Sequence, residues 1–251
     1  MELNQAVVIV TGAGSGIGRA LASEFARNGA TAVCCGRNAE NLDETVRLIA
    51  STGGSALAVP TDVTERSQVR HLVQKTIAEF GKIDVLFNNA GSFNSIAGVH
   101  EADPETWWHD VMVNLYGCFL CMRETLPHMR ERNSGIIINM NGGRPPGGSA
   151  YAAGKAGLME LTRITALELS MLKSSVMIFG AGPGLVRTPM TELQAFTEAG
   201  HRWVPGVKTA FDNGTLRQPD EIARKTCELI PIAKSEWSGK YFTPDTDFAE
   251  F

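Results

Sequence analysis

The chain lacks any apolar run near the ~18 residues that would cross a bilayer, and no charged-then-apolar leader follows Met1. No membrane partner is expected, and the expected location is cytoplasmic. It also lacks a basic tail or block, and its formal net charge is -4. That excludes nucleic acid as the main partner, because phosphate backbones are held by concentrated positive surface. Cysteine is scarce and odd in number, 5 in 251 residues. A disulfide framework is not expected, and the thiols should stay reduced. Cys118 and Cys121 form a C-x-x-C inside "YGCFLCMRETL". No second pair matches them, and the apolar helical pattern around them points to buried packing; no metal site is expected. Internal repeats and low-complexity linkers are missing too, which leaves a single domain over residues 1–251. What is present suits a globular fold: 43% apolar and 20% charged residues, at a length that buries a substantial core.

Apolar β-branched runs alternate with helical patterns. "AVVIVTG" is a buried strand, followed by a helix over 17–28 that ends at Gly29. "TAVCCG" and "SALAVPTD" are the next strands, each followed by a helix, over 39–51 and about 65–80. "IDVLFNNAG" precedes a long helical stretch over about 104–132, bent near Gly117 or Pro127. "GIIINMN", a helix over about 149–172 and "SSVMIFGAG" follow; a short helix over about 220–230 and a strand around "GKYFTP" end the series. Alternation of this kind gives βαβ units. With right-handed crossovers it predicts an α/β, Rossmann-type doubly wound parallel sheet of about seven strands with helices on both faces. One stretch, 189–217, carries no clear period. It is expected to be long and irregular, and such segments are usually functional or mobile.

"TGAGSGIG" follows the first strand directly and opens the first helix, which is the context a phosphate-binding turn requires. Gly12 permits a tight turn. Gly16 and Gly18 let the backbone approach a pyrophosphate, and the free N–H groups at the helix start face the anion. Ser15 and Ile17 complete the predicted cofactor turn. The glycines follow T-G-x-x-x-G-x-G rather than G-x-G-x-x-G. With "NNAG" at 88–91, "YAAGK" at 151–155 and "PGLVRTP" at 183–189, this pattern resembles the short-chain dehydrogenase/reductase family. The resemblance covers nearly the whole chain. It implies an oxidoreductase that moves hydride between a nicotinamide cofactor and the carbon of a secondary alcohol or carbonyl, with a small-molecule substrate and assembly as a homodimer or homotetramer through the helices near 104 and 149.

The residues after the second strand bear on the choice of cofactor. Gly36 stands where NAD-preferring relatives usually carry Asp, and Arg37 follows. A guanidinium can pair with a 2′-phosphate through two parallel hydrogen bonds, so NADP is favoured over NAD; Ser15, at a position basic in some NADP-using relatives, adds no support. By resemblance, Asp62 and Val63 border the adenine. Asn89 and Gly91 line the cofactor cleft, with Asn88 tying neighbouring strands, and Thr188 reaches the carboxamide. Asn114 resembles the family's helix asparagine, whose backbone carbonyl holds a water in a proton relay.

Tyr151 and Lys155 are four apart near a helix start, so they share a face. A free phenol titrates near about 10, and a neighbouring ammonium, together with an oxidised nicotinamide, would favour its ionised form. The phenol is the expected acid/base, and the lysine tunes it and holds the ribose. One family member is missing. Aligning "INMNG" to the family's I-N-x-S-S places Asn141 and Gly142 on the two serines, and the loop to Tyr151 is about four residues short. Three explanations stay open. Another donor substitutes (the Asn141 amide, the Ser149 hydroxyl or a backbone N–H of Gly142–Gly143); or the chain is a weak enzyme; or it binds cofactor as a regulatory or scaffold protein without turnover. Asn141 is carried forward as the fourth catalytic residue. The segment 189–217 is expected to be a substrate lid whose aromatic residues suit a partly apolar substrate. The tail "SGKYFTPDTDFAEF" lacks a double glycine and is read either as covering a neighbouring subunit's site or as a free end.

Overall fold

The computed structural model describes residues 1–248. Seven strands form one sheet: β1 (Val7–Thr11), β2 (Thr31–Gly36), β3 (Ser55–Pro60), β4 (Val85–Asn88), β5 (Ile136–Met140), β6 (Met177–Ala181) and β7 (Tyr241–Phe242). Their order is β3-β2-β1-β4-β5-β6-β7, and every neighbouring pair is parallel. The chain builds outward from β1 to β3, then returns to lay β4 on the other side of β1. That reversal leaves a crevice at the carboxyl ends of β1 and β4, where doubly wound sheets bind ligands.

Period-two alternation feeds two cores. In β1, Val8 and Val10 face α1 (Gly16–Arg27), α2 (Ala39–Ser51) and a late helix over Pro219–Ile232, through Leu21, Phe25, Leu42 and Ile222. Val7 and Ile9 face the opposite layer with Val69 and Leu72 of α3 (Arg66–Phe80) and Leu120 and Cys121 further on. Adjacent strand residues point to opposite faces, so a strand that is apolar throughout is the signature of a sheet covered on both sides. Cys118 and Cys121 are buried in the second layer as free thiols.

The expected long helix is divided. α4 (Pro104–Val111) is capped by Asp103, which accepts from the Thr106 N–H at 2.9 Å. A π-helical turn over Met112–Tyr116 follows, and then α5 (Gly117–Glu131). The Gly117 N–H bonds five residues back, to the Met112 carbonyl. The α-helical pattern is therefore interrupted just before Gly117, while Pro127 sits inside α5 without ending it. α6 (Ser149–Met171) starts with Gly148 at its cap position. The stretch 189–217 is not irregular. It folds into α7 (Pro189–Phe196), α8 (Glu198–Trp203) and α9 (Pro205–Asp212), and the Pro219–Ile232 helix is α10. Helices this short leave no period to read. Their signals are local: Thr188 and Thr197 cap α7 and α8, and prolines open α7 and α9, where the missing N–H costs nothing.

The tail lies on its own chain as far as it is described. Asp245 accepts from Arg217 at 2.6 and 2.7 Å, and the Phe248 ring packs beside Trp237 and Phe242. Residues 249–251 lie outside the described residues. Among the described residues, no helix is long and apolar enough to cross a membrane.

Candidate active site

A cavity of about 840 Å³ opens at the carboxyl ends of the central strands. Gly12, Ser15, Gly16, Ile17 and Gly18 form one end of its wall. Gly12 and Gly16 hold φ of 68° and 51°, which side chains rarely adopt. A Cβ at Gly18 would run into the Gly12 carbonyl. Ser15 occupies the cap position of α1 but makes no capping side-chain bond, so the first-turn N–H groups keep their capacity for an anion. Asn89 closes the turn from β4, its Nδ2 donating to the Thr11 carbonyl at 2.8 Å. Arg19 braces it from outside, donating to the Gly14 carbonyl at 2.6 Å. A glycine cradle with free amides fits the pyrophosphate of a dinucleotide.

Asn89, Gly91 and Thr188 continue the wall. Asn88 lies one step behind, donating to the Asn139 side chain at 2.8 Å. Arg37, Asp62 and Val63 stand outside the cavity, beyond the ends of β2 and β3. Burial would raise the Asp62 carboxyl, but the Thr64 N–H and hydroxyl, at 2.9 and 2.7 Å, and the Arg37 charge hold it below its usual range.

At the other end stand Tyr151, Lys155 and Asn141. Tyr151 is stacked on Phe93, ring centroids 4.7 Å apart and planes within 10°. Lys155 is buried; its Nζ lies 5.6 Å from the Tyr151 ring centroid and donates to the Met140 carbonyl at 2.8 Å. Beside this lysine alone the phenol is not lowered. Burial, helped by the nearby Tyr241 phenol, pushes Tyr151 above its ordinary value, and burial pulls Lys155 below its own. Desolvation disfavours the charged form of each.

Asn114 is fully buried in the π-helical turn and does not line the cavity. Its carbonyl takes a long contact from the Cys118 thiol, 3.5 Å. Among the three proposed substitutes for the serine, the structure separates two. The Ser149 hydroxyl accepts from the Trp107 indole N–H at 2.9 Å and is not part of the wall. The Asn141 side chain is 2% exposed, lines the cavity, and has neither Oδ1 nor Nδ2 paired. Gly142 lies beside it, so close to Tyr151 that a Cβ there would run into the phenolic hydroxyl.

Sequence reasoning missed the apolar part of the wall: Phe93, Met190, Val204 and Val207, with the Trp203 ring seated between Gly98 and Gly147. Trp203 is one of the aromatic residues of 189–217; the glycines that receive it give no signal of their own in the sequence.

A family model described as short chain dehydrogenase matches residues 6–198. The chain belongs to the short-chain dehydrogenase/reductase family. Cis-4-hydroxycyclohexanecarboxylate dehydrogenase of Sinomonas cyclohexanicum is 36% identical over 233 residues, covering 91% of this chain and 90% of that protein. The 3-oxoacyl-(acyl-carrier-protein) reductase FabG of Thermotoga maritima is 36% identical over 197 residues, 76% of this chain and 78% of that one. Among solved structures, a variant of actinorhodin polyketide ketoreductase with NADPH superposes with a TM-score of 0.86 at 28% identity, covering 95% of each chain. This short-chain dehydrogenase/reductase is an oxidoreductase of alcohol and carbonyl substrates, and it binds a nicotinamide cofactor.

Proposed function

We propose that the enzyme interconverts a secondary alcohol and its ketone with NADP(H), using Tyr151 as acid/base and the Asn141 amide in place of the family's serine. The observation that carries this reading is the opening of the glycine cradle, the Tyr151–Lys155 pair and the unpaired Asn141 amide onto one cavity. When bound, the nicotinamide supplies or accepts the hydride. Gly12, Gly16 and Gly18 with the first amides of α1 would hold its pyrophosphate, Lys155 its ribose and Thr188 its carboxamide. Tyr151 gives a proton to the carbonyl oxygen in reduction and takes it back in oxidation. Asn141 Nδ2 donates to the same oxygen, which is how amides stabilise developing negative charge. The Asn114 carbonyl anchors a water behind Lys155, and the whole chain acts as one catalytic domain with 189–217 as its lid. The rival reading, cofactor binding without turnover, finds no support in relatives named as dehydrogenases and reductases.

The direct test is titration with NADPH and NADH, then a panel of secondary alcohols and ketones. The apolar wall and the name of the Sinomonas relative both put ring-bearing alcohols first in that panel. No oxidation or reduction across it, despite tight dinucleotide binding, would overturn the reading. Asn141→Ala should lower kcat about a hundred- to a thousand-fold, the loss of one oxyanion donor, with dinucleotide Kd unchanged. An unaltered kcat would pass the role to the backbone N–H groups of Gly142 and Gly143.

The preference for NADP rests on Arg37, which is exposed and makes no ion pair with a carboxylate closer than 4.0 Å among the described residues. Arg37→Asp should reverse the ratio of NADPH to NADH affinity by at least about tenfold, since it swaps a phosphate partner for a repelling carboxylate. A ratio that stays put would detach the choice of cofactor from this residue. Assembly as a dimer or tetramer is expected through α5 and α6, which expose Phe119, Ile164, Leu167 and Met171; light scattering reads it directly.

A further inference from the structure

Asp110, at the end of α4, is fully buried, and no ion pair neutralises it among the described residues. Its carboxylate is held by donors alone. Oδ1 accepts from the Ser92 hydroxyl at 2.5 Å, and Oδ2 from the backbone N–H groups of Asn94 and Ser95 at 2.9 and 2.8 Å. Burying an ion costs several kcal/mol unless such bonds replace its water. An apolar side chain could pack a helix against a loop without that cost. What it could not do is accept three hydrogen bonds, and only a carboxylate offers that many acceptor sites with no donor among them.

The clasped loop carries Phe93 between its bonded residues. The Phe93 ring lies flat on Tyr151 and also fills the space left open by Gly148, where a Cβ would meet it. A second tie works in parallel. Asn114 Nδ2 donates to the Asp110 carbonyl at 2.8 Å and to the Ser92 carbonyl at 2.6 Å, and its Oδ1 accepts from the Ser92 N–H at 3.2 Å. The loop over 92–95 is thus fastened at both ends to Asp110 of α4, and at Ser92 to Asn114 as well. From this we infer that Asp110 is a positioning residue for the acid/base phenol: it fixes the loop that holds Phe93 against Tyr151, and so sets where the hydroxyl points. The inference rests on the reading of Tyr151 as acid/base.

The test uses the full-length enzyme with Asp110→Asn, Phe93→Leu and the double variant. Asparagine keeps the shape but presents an NH2 to donors that need an acceptor. Asp110→Asn should lower kcat about ten- to a hundred-fold while dinucleotide Kd stays within about twofold. The double variant should be no slower than the slower single variant, because both changes release the same ring; independent effects would multiply. An ultraviolet phenolate titration without substrate, with Tyr151→Phe marking the signal, should show the Tyr151 phenol ionising at lower pH in Asp110→Asn, as the freed ring gains water. Multiplying losses, or an unmoved titration with wild-type kcat, overturns the inference. If Asp110→Asn does not fold, Ser92→Ala removes one donor and should give a smaller loss of the same pattern; a dinucleotide Kd that weakens in step with kcat would mark Asp110 as merely structural. Should wild type turn over and Tyr151→Phe not, while Asp110→Asn matches wild type, only this inference fails. Undiminished turnover in Tyr151→Phe would instead defeat the reading on which it rests.

Discussion

Tyr151→Phe should reduce turnover by about a hundred- to ten-thousandfold and leave dinucleotide affinity within about twofold. The two outcomes separate because the phenol has separable contacts. Its ring is stacked on Phe93 and lies under the Lys155 ammonium, and phenylalanine preserves both. The Lys155 ammonium donates to the Met140 carbonyl rather than to the phenol. The glycine turn is braced by Asn89 and Arg19 from other elements. Only the proton donor is removed, and a positioned general acid contributes about 10²–10⁴. A variant that retained a tenth of wild-type kcat would exclude the phenol as acid/base. The environment adds a pH signature. Burial raises Tyr151 above its ordinary value, so the folded chain keeps this proton where the unfolded chain has already released it. The contribution to stability is complete below the unfolded value of about 10 and is lost as pH rises through the folded one. Thermal unfolding midpoints measured across alkaline pH should therefore fall more steeply for wild type than for Tyr151→Phe. Parallel curves would mean that the phenol is not held protonated by its surroundings.

The sheet was legible because its signal is redundant. Each strand of the first half has an apolar centre, each is followed by a helical period, and a glycine turn sits between the first strand and helix. The half of the site that rests on backbone geometry was legible for the same reason: only glycine suits the turn at Gly12 and the close approach at Gly18. What escaped was relational. Nothing about Phe93 in "GSFNS" tells that its ring will lie on Tyr151, because the contact depends on a buried carboxylate in a different element. The Tyr151–Lys155 spacing correctly placed both on one face of α6, but spacing carries no information about solvation, and solvation decides the sign of the phenol's shift. The segment 189–217 is helical where an irregular stretch was expected, since six to eight residues cannot establish a period; caps and opening prolines could have marked it. Ser149 was a candidate donor by its place before Tyr151, yet it opens α6 behind Gly148 and accepts from Trp107 outside the cavity wall.

Restoring the family's serine by Gly142→Ser should harm the enzyme, with kcat reduced by about a hundredfold or more. The sequence presents Gly142 as a catalytic hydroxyl that has been lost. The structure gives it a different meaning. A Cβ built on Gly142 would run into the Tyr151 hydroxyl, with the phenol Cζ and Cε1 only 2.9 and 3.0 Å away. The ring cannot step aside cheaply, because Phe93 covers its face and itself fills the space beside Gly148. Overpacking of a fixed site costs about 1–3 kcal/mol and displaces side chains, and here the displaced group is the proposed acid. The volume that a side chain at Gly142 would need is already filled by the phenol. Two controls isolate the cause. Gly142→Ala should be as damaging as Gly142→Ser, since the Cβ and not the hydroxyl is at fault. Gly143→Ser should stay near wild type, because a Cβ there meets nothing within 4 Å. If Gly142→Ser instead outpaces both Gly142→Ala and wild type, the site does hold room for the family's hydroxyl, and the Asn141 amide is a remnant rather than its replacement.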